Sequence, residues 1–356
     1  MSETPADAFT GVEDAPEHLK IDKDALGSFL SENIAGFGPL SDIKKFRGGQ
    51  SNPTYLLTTP AQKYVLRRKP PGKLLPSAHA VEREYKVMTA LNTAGFPAPK
   101  TYLLCEDSEI VGTPFYVMEF VEGRIFWDSS LPDVGEDERA PLFNALVDTL
   151  ADLHNIDYEK IGLSDFGKPG NYFERQIGRW SKQYKAAETS EIDEMNRLME
   201  WLPGAIPNED TTTIVHGDYR FDNAIMHADR PETIAVLDWE LSTLGHPLAD
   251  FTNFLMVYFF PPNVRGGLAG LDIDALKIPS VDVTIKRYCE RTNRDNIADL
   301  EFSLAYNMFR LAAIVQGVYA RAIQGNASSE EASKMGDQVK PLAVLAWSFA
   351  ERSMRS

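Results

Sequence analysis

The chain has 356 residues, 43% hydrophobic and 25% charged, which is ordinary for a globular protein and long enough for one large domain or two. A formal charge of −16 excludes a general nucleic-acid or anionic-membrane binder, because phosphate-rich surfaces call for a basic face. The two cysteines, Cys105 and Cys289, are too few and too far apart for a disulfide framework or a zinc site, and read as reduced, buried thiols.

The opening MSETPADAFT is acidic and polar where a secretory leader is basic and then apolar, so residues 1–17 read as a flexible extension. No apolar run approaches the roughly 18 residues of a membrane span; the longest is 254–260. The expectation is a cytoplasmic protein whose partner is a small molecule, with oligomeric state left open. A mixed helical period over 18–30 predicts a first helix. Residues 43–47, 53–58 and 63–68 alternate as short strands bounded by Gly, Asn, Pro and Gln. Between the first two lies Arg47-Gly48-Gly49-Gln50-Ser51-Asn52, where Gly48, Gly49, Ser51 and Asn52 can turn backbone N–H groups toward phosphate oxygens or simply form a hairpin turn. On the third strand, period two puts Val65 and Arg67 on one face and Leu66 on the other.

Pro70-Pro71-Gly72 ends the strand, and a helix is expected over 77–94, with Val81, Tyr85, Met88 and Leu91 as its apolar stripe. Strands follow over 101–105 and 113–121. Beyond them the pattern turns helical, first over 141–153. Residues 172–187 carry an apolar stripe (Phe173, Ile177, Trp180, Tyr184) and a basic one (Arg175, Arg179, Lys182), the latter either a solvated face or a seat for an anionic substrate group. Long buried helices are expected over 301–323 and 339–349. On the first, Arg310, Gln316, Tyr319 and Arg321 break the apolar pattern, to line a pocket or to face water.

The stretch 214–251 organises the rest. HGDYRFDN is followed by the turn-like ADRPE and then by IAVLDWE. Two short strands, 224–226 and 234–237, would bring Asn223 and Asp238 to the same end of a hairpin, with Asp218 on the loop before them. Asn223 and Asp238 offer hard oxygens to Mg²⁺, which takes few protein ligands and keeps waters. Asp218 can hold and deprotonate an attacking hydroxyl, so the set suits phosphoryl transfer from ATP. Glu240 can assist the metal or the substrate, and His216 is expected to fix the loop. His154, His227 and His246 read as structural.

H-G-D-x-x-x-x-N followed by I-x-V-L-D-W-E resembles the aminoglycoside phosphotransferase family of kinase-like small-molecule phosphotransferases. RRKPPGKLLPSAHAVEREYKV, residues 67–87, further resembles the kinase-like domain of acyl-CoA dehydrogenase family members ten and eleven and bacterial 4-hydroxyacyl-CoA kinases. The resemblance covers nearly the whole chain after about residue 30. It implies an α+β, bilobal protein-kinase-like fold: a small antiparallel β-sheet N-lobe with one helix over 18–118, and a larger, mostly helical C-lobe over 119–356. It implies that Arg67 stands where kinase-like folds carry a nucleotide-binding lysine, with Lys69 as fallback. Its acid partner would be Glu84, with Glu82 as rival. Residues 118–120, with Glu119 and Phe120, would form an adenine-binding hinge. Gly217 replaces the arginine of regulated protein kinases, and Trp239-Glu240 replaces their Phe-Gly, which favours a small-molecule kinase. The acceptor implied is a 4-hydroxyacyl-CoA or hydroxy acid, with an aminoglycoside, or a regulatory pseudokinase without transfer, as the alternatives. Arg175 and Arg179 would then meet a substrate phosphate.

Overall fold

The computed structural model describes residues 11–47, 52–72, 79–323 and 335–355. In chain order the strands are β1 (Val12–Glu13), β2 (Asp42–Phe46), β3 (Thr54–Thr58), β4 (Lys63–Arg68), β5 (Thr101–Cys105), β6 (Phe115–Glu119), β7 (Thr213–Val215), β8 (Ala224–Met226), β9 (Thr233–Val236) and β10 (Thr243–Gly245). The helices are α1 (Lys23–Asn33), α2 (Val81–Thr93), α3 (Ser108–Val111), α4 (Glu136–Asn155), α5 (Tyr172–Ala187), α6 (Asp193–Trp201), α7 (Pro247–Leu255), α8 (Val281–Arg291), α9 (Leu300–Ile323) and α10 (Gly336–Ser353). Among the described residues no helix is long and apolar enough to cross a membrane.

The chain packs as two compact units. The first comprises 1–127, 159–166 and 221–242; the second comprises 128–158, 167–220 and 243–356. The hairpin β8–β9 therefore belongs to the same unit as the early strands of the chain.

The first unit is built on an antiparallel sheet of order β1-β2-β3-β4-β6-β5. Alternation sends Tyr55, Leu57, Tyr64, Leu66, Phe115 and Val117 to one face, where they form a core with Leu26 and Leu30 of α1. Asp22 starts α1 by accepting from the Asp24 and Ala25 amides at 2.9 and 3.0 Å. Val65, Arg67, Tyr116 and Met118 occupy the opposite face, with Val65 opposite Met118 and Arg67 opposite Tyr116 in the register. The expected helix over 77–94 is shorter: α2 begins at Val81, after His79 turns the chain with a φ of 59°, while residues 77 and 78 lie outside the described residues.

The second unit is mainly helical. Its longest helix, α9, packs on α5, α7 and α10 and buries Arg310 and Gln316 within an otherwise apolar surface. The helix expected from residue 141 starts earlier, at Glu136, because Glu136, Asp137 and Glu138 complement the positive end of the helix dipole. Both cysteines are free and buried, and burial pushes each thiol above its ordinary value. His246 accepts from the Leu248 amide at 3.3 Å, and burial lowers its pKa to about 4, so it begins α7 as a neutral ring.

Candidate active site

In the first unit the site is centred on Arg67. Its Nε lies 3.0 Å from Glu84 of α2, and its Nη2 lies 2.8 Å from Asp238 and 3.4 Å from Glu240. A planar guanidinium can address acids in two directions at once, which an ammonium group does less well. The fallback Lys69 pairs instead with the rival acid Glu82, at 2.8 Å. Arg68, on the other face, donates to the Val111 and Leu19 carbonyls at 2.6 and 2.9 Å. Period-two alternation thus separates a site arginine from a structural one.

Glu84 is almost fully buried. Asn52 donates to its Oε1 at 2.9 Å, and the Tyr116 hydroxyl to its Oε2 at 3.0 Å. Burial pushes the Glu84 carboxyl up to about 7 against the pull of Arg67, with Asp238 and Glu240 adding to the rise. Burial also works against the Arg67 charge, but Glu84 and Asp238 outweigh it and hold the guanidinium above its ordinary value. Asn52 meets His79 as well, at 3.0 Å, so its side chain supports Glu84 within the unit. Gly48, Gly49 and Ser51 lie outside the described residues.

The hairpin forms as its sequence indicates. Ala224 faces Val236 in the ladder, and the Leu237 amide donates to the Asn223 carbonyl at 2.8 Å, so Asn223 and Asp238 flank the same end. Asp238 has a φ of 62°, a left-handed conformation that costs a non-glycine residue about 1–2 kcal/mol. Trp239, almost fully buried, anchors this turn: its Nε1 donates to the Val236 carbonyl at 2.8 Å and its ring meets Phe96 edge-on at 5.9 Å. Among the described residues no group of three or more His, Cys, Asp or Glu side chains could hold a metal. One carboxylate and one amide are a donor set that fits Mg²⁺ sharing its remaining positions among phosphate oxygens and water. Glu119 ends β6, exposed; its amide donates to the Lys100 carbonyl at 2.8 Å and its side chain accepts from the Lys100 amide at 3.2 Å. Phe120 follows, with Lys63 5.1 Å from its ring centre.

The second unit holds the Asp218 loop. Asp250 of α7, almost fully buried, accepts the amides of His216 and Gly217 at 2.5 and 2.8 Å and stands 3.4 Å from His154. His154 in turn meets the Tyr288 hydroxyl at 2.7 Å. His216 accepts the Asp218 amide at 3.2 Å, which fixes the loop as its sequence indicates. Arg265 lies 3.5 Å from the Asp218 carboxylate. Burial pushes the Asp218 carboxyl up, but Arg265, Arg220, His216 and Arg310 outweigh it and hold the group below its ordinary value. Sequence reasoning gave no role to Asp250, Arg265 or Tyr116. Asp250 stood inside the organising stretch and Arg310 among the polar breaks of α9, whereas Arg265 carries no local signal.

Lys168, Asn171, Glu174, Arg175, Arg179 and Lys182 line an open groove along α5 in the same unit. Four of these are basic in a chain that is acidic overall. Arg175 is engaged from below, donating to the Gly170 and Lys168 carbonyls. Arg179 stacks over the Trp180 ring at 5.3 Å.

Residues 42–277 match the sequence pattern of the phosphotransferase enzyme family, abbreviated APH. The chain belongs to this family. A putative aminoglycoside phosphotransferase of Ralstonia eutropha JMP134 has a crystal structure with 47% sequence identity and a TM-score of 0.86, covering 94% of this chain and 99% of that one. This phosphotransferase is also 44% identical over 338 residues to mouse (Mus musculus) acyl-CoA dehydrogenase family member 10, spanning 94% of the chain but only 32% of that protein's length. The structure of a spectinomycin phosphotransferase with ADP and spectinomycin is alike in fold alone, at 12% identity and a TM-score of 0.63, covering 93% and 99% of the two chains. The fold of this phosphotransferase is α+β, bilobal and kinase-like.

Proposed function

We propose that this phosphotransferase moves the terminal phosphoryl group of ATP to a hydroxyl of a small molecule, with Mg²⁺, and that the acceptor is a 4-hydroxyacyl-CoA or related hydroxy acid. The observation that carries the reading is the Arg67 fork, which joins the α2 acid Glu84 to Asp238, the carboxylate at the end of the hairpin. In this reading Arg67 turns from Asp238 toward the non-transferred phosphates when nucleotide enters, with Glu84 holding the guanidinium in place. Asn223 and Asp238 would hold Mg²⁺, which would supply charge compensation for the transferring phosphate when bound. Glu119 and Phe120 flank the adenine.

Asp218 accepts a hydrogen bond from the acceptor hydroxyl and aims its oxygen at the γ-phosphorus. A new phosphorus–oxygen bond forms as the bond to the β-phosphate oxygen breaks. ADP leaves with that electron pair, and the hydroxyl proton passes to the Asp218 carboxylate. The depressed pKa keeps Asp218 ionised and ready for that proton. Such positioning and proton acceptance are together worth on the order of 10²–10⁴-fold. The acyl-CoA reading draws on the likeness to an acyl-CoA dehydrogenase family member and on the basic groove, where Arg175, Arg179 and Lys182 suit a nucleotide-like phosphate.

The test is phosphate transfer from Mg-ATP to a panel of 4-hydroxyacyl-CoAs, hydroxy acids and aminoglycosides, with Asp218→Asn alongside. Transfer to a hydroxyacyl-CoA, lost in Asp218→Asn, supports the whole reading. Transfer to aminoglycosides alone removes the acyl-CoA part. ATP binding with no transfer to any acceptor would overturn the proposed activity and leave a regulatory nucleotide-binding module.

A further inference from the structure

Arg310 is buried on α9, in a helix whose other inward positions are largely apolar. Placing a guanidinium there carries a desolvation cost that only specific partners offset. Its Nη2 donates to the Gly217 carbonyl at 2.8 Å, and its guanidinium carbon lies 5.7 Å from the ring centre of Trp180 on α5. Gly217 has a φ of 88°, a conformation side-chain-bearing residues rarely adopt. Its amide and that of His216 are already held by Asp250. The peptide groups entering Asp218 are thus gripped through their N–H groups from α7 and through a carbonyl from α9.

We infer that Arg310 is a positioning residue for the Asp218 loop: it fixes the Gly217 carbonyl, sets the direction in which Asp218 leaves the backbone, and through Trp180 ties that loop to the helix bearing the basic groove. Asp250 holds the two preceding peptides, whereas the peptide joining Gly217 to Asp218 is held at its N–H by His216, and the grip of Arg310 on its carbonyl fixes the plane of that peptide. The favourable charge of Arg310 on Asp218 acts in the same sense, keeping the carboxylate ionised. The catalytic consequence rests on the role proposed for Asp218; the mechanical one does not.

The experiment compares the full-length wild type with Arg310→Met and Arg310→Lys, by hydrogen exchange at the amides of His216, Gly217 and Asp218 and by steady-state turnover of Mg-ATP. In Arg310→Met, exchange at these amides is expected to rise about tenfold or more while α7 and α10 keep their protection. kcat should fall roughly 10- to 100-fold with KM for ATP nearly unchanged, as for a displaced catalytic group. Arg310→Lys, which still donates to the carbonyl, should recover most of both losses. Unchanged exchange and kcat in a folded Arg310→Met would overturn the inference, as would loosening spread over the whole second unit that Arg310→Lys does not recover. If Arg310→Met fails to fold, Trp180→Leu and Arg310→Lys decide: raised exchange confined to the loop in Trp180→Leu supports the inference, and wild-type exchange in both overturns it. A wild type that turns over no ATP, beside loop-confined loosening in Arg310→Met, would leave the positioning role standing and remove the proposed function.

Discussion

The two units hold buried charge in opposite ways. Around Arg67 one cation faces three carboxylates, of which Glu84 is buried while Asp238 and Glu240 remain 37% and 25% exposed. Around Asp250 one fully enclosed carboxylate takes backbone amides and a histidine. Side-chain ion pairs with exposed members can be exchanged for a phosphate or a metal at modest cost. Hydrogen bonds from backbone amides to a buried carboxylate cannot be exchanged without moving the chain. On the proposed function the first cluster is rearranged by its ligand, while the second stays as it is.

Removing Asp250 tests that contrast at its extreme. Asp250→Ala leaves two loop amides unsatisfied in the core and should cost about 3–5 kcal/mol, read from the urea midpoint. Burial opposes the Asp250 charge, but His154 and His216 hold its carboxyl below the ordinary 3.8. Its contribution is therefore present above about pH 3.8 and lost as pH falls through the lower folded value, so the variant should be less sensitive to acid than the wild type.

Arg67→Met should cost about 2–4 kcal/mol near pH 8, since it strands the buried Glu84 charge, and should weaken ATP binding in calorimetry. The stability loss should shrink at acidic pH, where Glu84 is protonated. A loss that is the same at every pH would show that the pair does not hold Glu84 in its charged form.

Glu84 supplies a third test, with the opposite pH sign to Asp250. Its folded value, about 7, lies above the ordinary 4.5, because burial disfavours the charge. Its stabilising contribution is complete below pH 4.5 and declines as pH rises through 7. The stability difference between wild type and Glu84→Gln should therefore fall across that window in thermal unfolding. The smallest effect belongs to Glu82→Gln. It breaks an ion pair to Lys69 with a 40% exposed carboxylate, and should change stability by at most about 0.5 kcal/mol and turnover by less than about twofold.

Legibility in the sequence followed the range of the interactions. Strand alternation placed Arg67 opposite Leu66 correctly, since side-chain direction in a strand is a local property. The spacing from HGD to DWE gave the hairpin for the same reason. Helix starts were less legible: α2 is delayed by the backbone at His79, and α4 begins ahead of its apolar stripe because acids favour its first turn. Least legible were groups recruited from far along the chain. Arg265 approaches Asp218 across 46 intervening positions, and Tyr116 reaches Glu84 through a strand register that its own segment does not encode. The side-chain amide of Asn52 donates to Glu84, a partner that its own segment does not specify.

The left-handed turn at Asp238 sets durability against work. Glycine would relax that backbone, and asparagine tolerates it as aspartate does, so Asp238→Gly relieves strain and either Asp238→Gly or Asp238→Asn removes one acidic neighbour of Glu84. Selection for heat resistance alone would drift toward exactly the substitutions that strip the hairpin of its carboxylate. On the role proposed for Asp238, a thermostabilised descendant of this chain needs position 238 withheld from the library, and its gains sought elsewhere.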